Sequence, residues 1–189
     1  MKIGLFFGTF NPVHFGHIKI VSRLLDENIF EELWIILTPR SPHKTYNLVK
    51  KENRLEMLKL AFQDYNKVTI SDIEFNFNQP NYTINTLTYL SANFPKFNFS
   101  IIMGSDNFLN IETWKDSFKI IEKYNIYVYP REGFLFKNKM KYNNVHYLNY
   151  PKIEISATFI REKILYNEKN PQRYLPTVVY DYIKNNHLY

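Results

Sequence analysis

Cysteine is absent from this chain of 189 residues. Disulfides and thiolate metal sites are thereby excluded, and the composition suits a reducing compartment. Long apolar runs are lacking too, since no stretch reaches the roughly 18–20 residues needed to cross a bilayer. The N-terminus, MKIGLFF, reads as a first strand with no small-residue cleavage site behind it. No secretory leader is expected, and a cytoplasmic location is. Internal repeats and linkers rich in glycine, proline or serine are also missing, which leaves a single domain over 1–189. Glycine itself is scarce, at 5 residues.

What is present is a large apolar fraction, 45% hydrophobic and 17% aromatic. A chain of this length and composition folds around a sizeable core. Its net charge of +6 invites a polyanionic partner. Lysine is three times as frequent as arginine but scattered, and only short clusters such as KNKMK (137–141) stand out. With no basic helix and no aromatic stacking platform, neither nucleic acid nor a membrane is expected as a partner. A mild positive balance suits an enzyme that handles polyanionic small molecules.

Apolar periodicity alternates along the chain. KIGLFF, ELWIILTP, KVTISDIEF, FNFSIIMG, NIYVYP and NVHYLN read as six strands. Between and after them lie helical stretches, including HFGHIKIVSRLLDE, KKENRLEMLKLAFQDY, TINTLTYLSANF, TWKDSFKIIEKY, ATFIREKILY and TVVYDYIKNNHLY. Strands alternating with helices predict a doubly wound, Rossmann-like parallel sheet with helices on both faces. In such sheets ligands bind outside the carboxyl ends of the strands. Gly8 to His17, Thr38 to Lys44, Gly104 to Asp106 and Arg131 all fall at such ends.

The stretch GLFFGTFNPVHFGH places two of the five histidines three residues apart, directly behind the first strand. Gly8 lets the chain turn, Pro12 stiffens the loop, and Gly16 leaves room where a phosphate could meet the backbone. His14 and His17 share one face of a helix's first turn. Unpaired N–H groups and the helix dipole favour an anion there. The pair reads as a phosphate clamp, as two ordinary helix-start histidines, or as two ligands of a zinc site.

GTFNPVHFGH resembles the GxFxPxHxGH signature of the nucleotidyltransferase superfamily, Rossmann-like enzymes whose histidines contact nucleoside triphosphate. ISATFIRE, Ile155 to Glu162, is similar to the ISSTxIR motif of the same enzymes, and maps triphosphate contacts to Ser156, Thr158 and Arg161. The resemblance narrows to bacterial nicotinate-nucleotide adenylyltransferases through TPRSPHK, SDIEFNFNQPNYTINTL, IIMGSDNFLNIETWKD, YPREG and the closing LY. It implies that ATP meets Gly8, Thr9, Phe10, His14, Gly16, His17, Gly104, Asp106, Ser156, Thr158 and Arg161. It further implies nicotinate mononucleotide at Lys44, Tyr82, Thr83, Trp114 and Arg131, with Trp114 stacked on the pyridine ring. His14, His17, Lys44 and Arg161 become the catalytic set, and the helical part from about 156 to 189 completes the ATP site. Departures occur at Phe7, Asn11, Asn81, Asn85 and Ala157, and Phe159 reads as core.

The reaction so implied joins nicotinate mononucleotide to ATP, giving deamido-NAD and pyrophosphate. The attacking phosphate is already ionised, so no general base is required. Mg2+ is expected on the ATP phosphates, with no protein side chain as its ligand. Nicotinamide mononucleotide or phosphopantetheine is the alternative substrate, and a non-catalytic nucleotide sensor is the alternative of another class. Assembly into a homo-oligomer is compatible with such a chain.

Overall fold

The computed structural model describes residues 1–39, 48–133, 142–166, 168 and 170–189. Among them six strands form one parallel sheet: β1 (Lys2–Gly8), β2 (Glu32–Leu37), β3 (Val68–Ser71), β4 (Asn98–Gly104), β5 (Asn125–Tyr129) and β6 (Val145–Tyr147). Their order across the sheet is β3-β2-β1-β4-β5-β6. The helices are α1 (Phe15–Asp26), α2 (Lys51–Phe62), α3 (Thr83–Asn93), α4 (Ser105–Phe108), α5 (Ser117–Lys123), α6 (Ala157–Leu165) and α7 (Thr177–Asn185). The architecture is the Rossmann-like doubly wound fold expected from the alternation of strands and helices.

Near-continuous apolar strands follow from burial on both sheet faces. On one face Phe6, Leu33, Ile35 and Ile102 join Val21 and Leu24 of α1, Met57 and Leu58 of α2, Ile160 of α6 and Val179 of α7. On the other, Ile3, Leu5, Ile36, Ile101 and Met103 join Leu87 of α3 and Ile120 of α5. Neighbouring strand residues thus alternate between two cores, as a period of 2 requires.

Two elements are shorter than the apolar pattern predicts. The third strand stops at Ser71, and Ile73–Asn76 forms a 3-10 turn. The turn buries Glu74, whose Oε1 accepts from Thr86 Oγ1 of α3 at 2.7 Å. The expected helix at TWKDSFKIIEKY begins only at Ser117, because Asp116 sits in the left-handed region at φ 52°. Phe159, expected in the core, is 37% exposed instead. Its ring lies edge-on to Tyr174 at 5.1 Å under Lys163, while Ile160 is the α6 residue turned inward.

Candidate functional site

Strand order reverses between β1 and β4, so the crevice lies beyond their carboxyl ends. Phe6 pairs with Ile102, which sets Gly8 and Gly104 at one level two residues further on. The loops after these glycines carry most of the residues singled out above.

His14 is the N-cap of α1, and the two histidines cap the helix reciprocally. His14 Nδ1 accepts from Gly16 N–H at 3.1 Å, and His17 Nδ1 accepts from His14 N–H at 3.2 Å. Both ring protons are therefore on Nε2, since Nδ1 can only accept there. The rings stack at 3.7 Å, with Phe10 edge-on to His17 at 5.0 Å. The N–H groups expected to await an anion are in part used by this cap: His17 N–H also donates to His14 O. Gly16 has a structural reason of its own. A Cβ there would stand 2.8 Å from Ile153 and 2.9 Å from the His14 ring, closer than side chains pack.

His14 is only 2% exposed, and burial, helped by the Arg131 charge, holds its imidazole down to about 3. It stays neutral in the fold while an unfolded imidazole charges below about pH 6.5. Its contribution to stability is complete above pH 6.5 and declines as pH falls toward 3, by at most about 1.4 kcal/mol per unit. His14→Asn, which keeps an N-cap acceptor, is expected to flatten the fall in stability between pH 6.5 and 4 in urea unfolding. An unchanged slope would mean that His14 takes up its proton within the fold.

The loop is held from three sides. Arg161 of α6 donates from Nη1 to Asn11 O at 2.7 Å and from Nη2 to Thr158 Oγ1 at 3.1 Å. Tyr189 donates its hydroxyl to Asn11 Oδ1 at 2.9 Å, so the last residue of the sequence reaches the first loop. Arg54 of α2, 3% exposed, donates to Thr9 O at 3.0 Å, Thr38 O at 2.8 Å, Pro39 O at 3.1 Å and Val49 O at 3.1 Å. Sequence reasoning missed Arg54 and Tyr189. Ser156 caps α6 by accepting from Phe159 N–H at 3.2 Å, and Thr158 is exposed beside it.

At the end of β4, a Cβ at Gly104 would overlap the Asp106 carboxylate and press on the Arg131 side chain, so a larger residue there would displace both. Asp106 Oδ2 lies 3.8 Å from Arg131 Nε, while its Oδ1 is buried with no hydrogen-bond partner among the described residues. Arg131 N–H donates to Ser105 Oγ at 2.9 Å, and its Nη1 donates to Ile155 O at 3.2 Å. This arginine ties the end of β5 to the segment leading into α6.

Beside the loop opens a cavity of about 250 Å³. Phe7, Gly8, Thr9, Thr38, Glu74, Asn81, Tyr82, Thr83, Trp114 and Lys115 are among its walls. Tyr82 is the N-cap of α3 and makes no side-chain cap hydrogen bond among the described residues, and it lines the cavity together with Thr83, the first residue of that helix. Glu74 forms the inner wall, where burial pushes its carboxyl up. Asn81 donates to the Glu74 carbonyl. Phe7, standing where the resembled family has glycine, supplies an apolar wall. Lys44 lies outside the described residues.

A parallel sheet in this order, with such a loop at its switch point, defines an α/β protein of the nucleotidyltransferase class. Residues 5–163 match the family described as cytidylyltransferase-like. The chain belongs to this family and, within it, to the nicotinate-nucleotide adenylyltransferases. A "probable nicotinate-nucleotide adenylyltransferase" of Flavobacterium psychrophilum is 42% identical over 192 residues, covering 100% of this chain and 99% of that protein. One of the same description from Christiangramia forsetii is 42% identical over 191 residues, covering 100% and 98%. The Plasmodium falciparum nicotinic acid mononucleotide adenylyltransferase complexed with NaAD superposes with a TM-score of 0.86 at 19% identity, covering 99% of this chain and 96% of that one. That likeness extends to the fold.

Proposed function

We propose that the protein joins nicotinate mononucleotide to ATP, releasing pyrophosphate and forming deamido-NAD. One observation carries this reading: Gly8 and Thr9, at the start of the histidine loop, are also a wall of the Trp114 cavity. A phosphate-binding loop and an aromatic site therefore adjoin, as the transfer between two nucleotides requires. The names of the relatives support the same reading.

The 5′-phosphate oxygen of the mononucleotide attacks the α-phosphorus in line, and the bond to pyrophosphate breaks. Catalysis then consists of positioning and charge neutralisation. Neutral His14 and His17 offer Nε2–H donors, while Arg161 and Lys44 offer charge, and Ser156 and Thr158 add hydroxyls. Gly8, Phe10 and Gly16 shape the loop around the triphosphate, and the helical part from about 156 to 189 completes this site. The buried, unpartnered Oδ1 of Asp106 suits a ribose hydroxyl, with Gly104 and Arg131 beside it. Trp114 stacks on the pyridine ring, and the amides at Tyr82 and Thr83 receive its carboxylate. The donor set described here fits phosphate oxygens, so Mg2+ belongs on the triphosphate, where it neutralises charge when bound.

Pyrophosphate release with ATP and Mg2+ tests the reading, with nicotinate mononucleotide, nicotinamide mononucleotide and phosphopantetheine as acceptors. Turnover with a pyridine mononucleotide is expected. ATP binding without turnover of any acceptor would overturn it in favour of a nucleotide sensor.

A further inference from the structure

Lys115 follows the stacking tryptophan directly in the chain and lines the same cavity. Its side chain is exposed, with Nζ 4.6 Å from the centre of the Tyr82 ring. A cation over an aromatic face is held by the ring quadrupole, which fixes the ammonium at the cavity wall. The acids that flank Lys115 are engaged elsewhere. Asp116 pairs with Lys119 at 3.0 Å, and Glu112 accepts from the Tyr142 hydroxyl. Among the described residues Lys115 has no carboxylate partner of its own.

The ring under this ammonium belongs to Tyr82, the N-cap of α3. The ammonium and the start of α3 therefore present positive potential to the same end of the cavity. A flat ring lying against Trp114 would bring its substituent toward that end. An ionised carboxylate gains from the charge, whereas a carboxamide, carrying none, does not. Glu74, at the inner wall, accepts from Thr86 with Oε1, and its burial disfavours the charged carboxylate, which weakens its opposition to an anion in the pocket.

We propose that Lys115 is a specificity residue that sets the preference for a pyridine carboxylate over the corresponding amide. The inference rests on the adenylyl-transfer reading above. Hydrogen bonds from uncapped amides serve either substituent; the ammonium distinguishes between them by charge alone. The side chain is exposed and meets the partly buried Tyr82 ring from the surface, a contact that methionine can keep, so replacing it leaves the fold in place.

The test compares wild type, Lys115→Met and Lys115→Arg with nicotinate and nicotinamide mononucleotides at saturating ATP. Lys115→Met is expected to lower kcat/KM for the acid about tenfold, mainly through KM, because a charge-assisted contact is lost. The KM for ATP should be unmoved, and Lys115→Arg should retain most of the acid preference. Raising ionic strength should narrow the acid-to-amide ratio of the wild type but leave that of Lys115→Met unchanged. A Lys115→Met enzyme with the wild-type ratio, or one that loses both substrates equally, would overturn the proposal alone. Wild-type protein that turns over neither mononucleotide would overturn the underlying reading together with it.

Discussion

His17→Ala is expected to lower the rate of pyrophosphate release by about two to three orders of magnitude while the protein stays folded. The size follows from removing one preorganised donor to charge that grows during the reaction, which costs about 10²–10³ in kcat where it has been isolated. The fold survives because His17 contributes little to burial. It lies half-exposed on α1, and its Nδ1 accepts one backbone N–H, that of His14. Losing half of a reciprocal cap costs about 1 kcal/mol. His14 keeps its own bond to Gly16 and its place in the buried loop. The two effects separate in a paired measurement of kcat at saturating substrates and of the unfolding midpoint. His17→Asn, which can retain a side-chain acceptor for His14 N–H, should recover stability without recovering rate. A folded His17→Ala protein within tenfold of wild-type turnover would remove His17 from the transition state.

How the loop residues gather was largely legible, because local rules govern it. Apolar alternation marked the six strands, and glycine, proline and histidine marked the turn behind the first. The parallel sheet then had to bring the strand ends together. Strand order was not legible, since periodicity says which segments are strands and not which are neighbours. Asp116 hid the late start of α5: a left-handed residue needs no glycine and leaves no trace in the pattern. Phe159 misled in the opposite sense. An aromatic residue between motif positions reads as core, yet the adjacent Ile160 fills that place, and Phe159 covers Tyr174 at the surface. Glu74 looked like part of a strand, and only its distant partner Thr86 accounts for its burial.

Asn11 shows how a departure from the resembled motif is accommodated. Its Oδ1 accepts from Val49 N–H at 3.2 Å and from the Tyr189 hydroxyl, while its carbonyl accepts from Arg161. A short amide fills this fully buried position, and its Oδ1 takes both of these hydrogen bonds. The residue joins the first loop to α6 and to the end of the chain at one point. The C-terminal segments therefore bear on the histidine loop through hydrogen bonds as well as through the core packing of Ile160 and Val179.

Arg54 is the residue whose loss should cost most in stability. Within α2 its neighbours Met57 and Leu58 face the core, and a charge among them reads as one of the helix's solvated side chains. The structure buries it instead, because three of the four carbonyls it serves lie 15, 16 and 45 residues away in sequence. Those carbonyls end β1 and β2, where the strands stop pairing and the loops begin. The guanidinium suits the task with its five N–H donors in a rigid fork and a charge that persists at any working pH. Replacing it with methionine keeps most of the apolar stem and strands four carbonyls without their donor. Truncating one partner of a buried polar network typically costs about 3–5 kcal/mol. For a domain of this size that corresponds to a fall in Tm on the order of 10 °C. The released carbonyls include that of Thr9, so the loop loosens where the triphosphate is proposed to bind. KM for ATP should therefore rise even at temperatures where Arg54→Met remains folded, whereas Arg54→Lys, with one compact ammonium, should recover only part of either loss. Thermal unfolding and ATP titration of the two variants check both effects. A Tm within about 3 °C of wild type would show that the loops hold their geometry without the arginine.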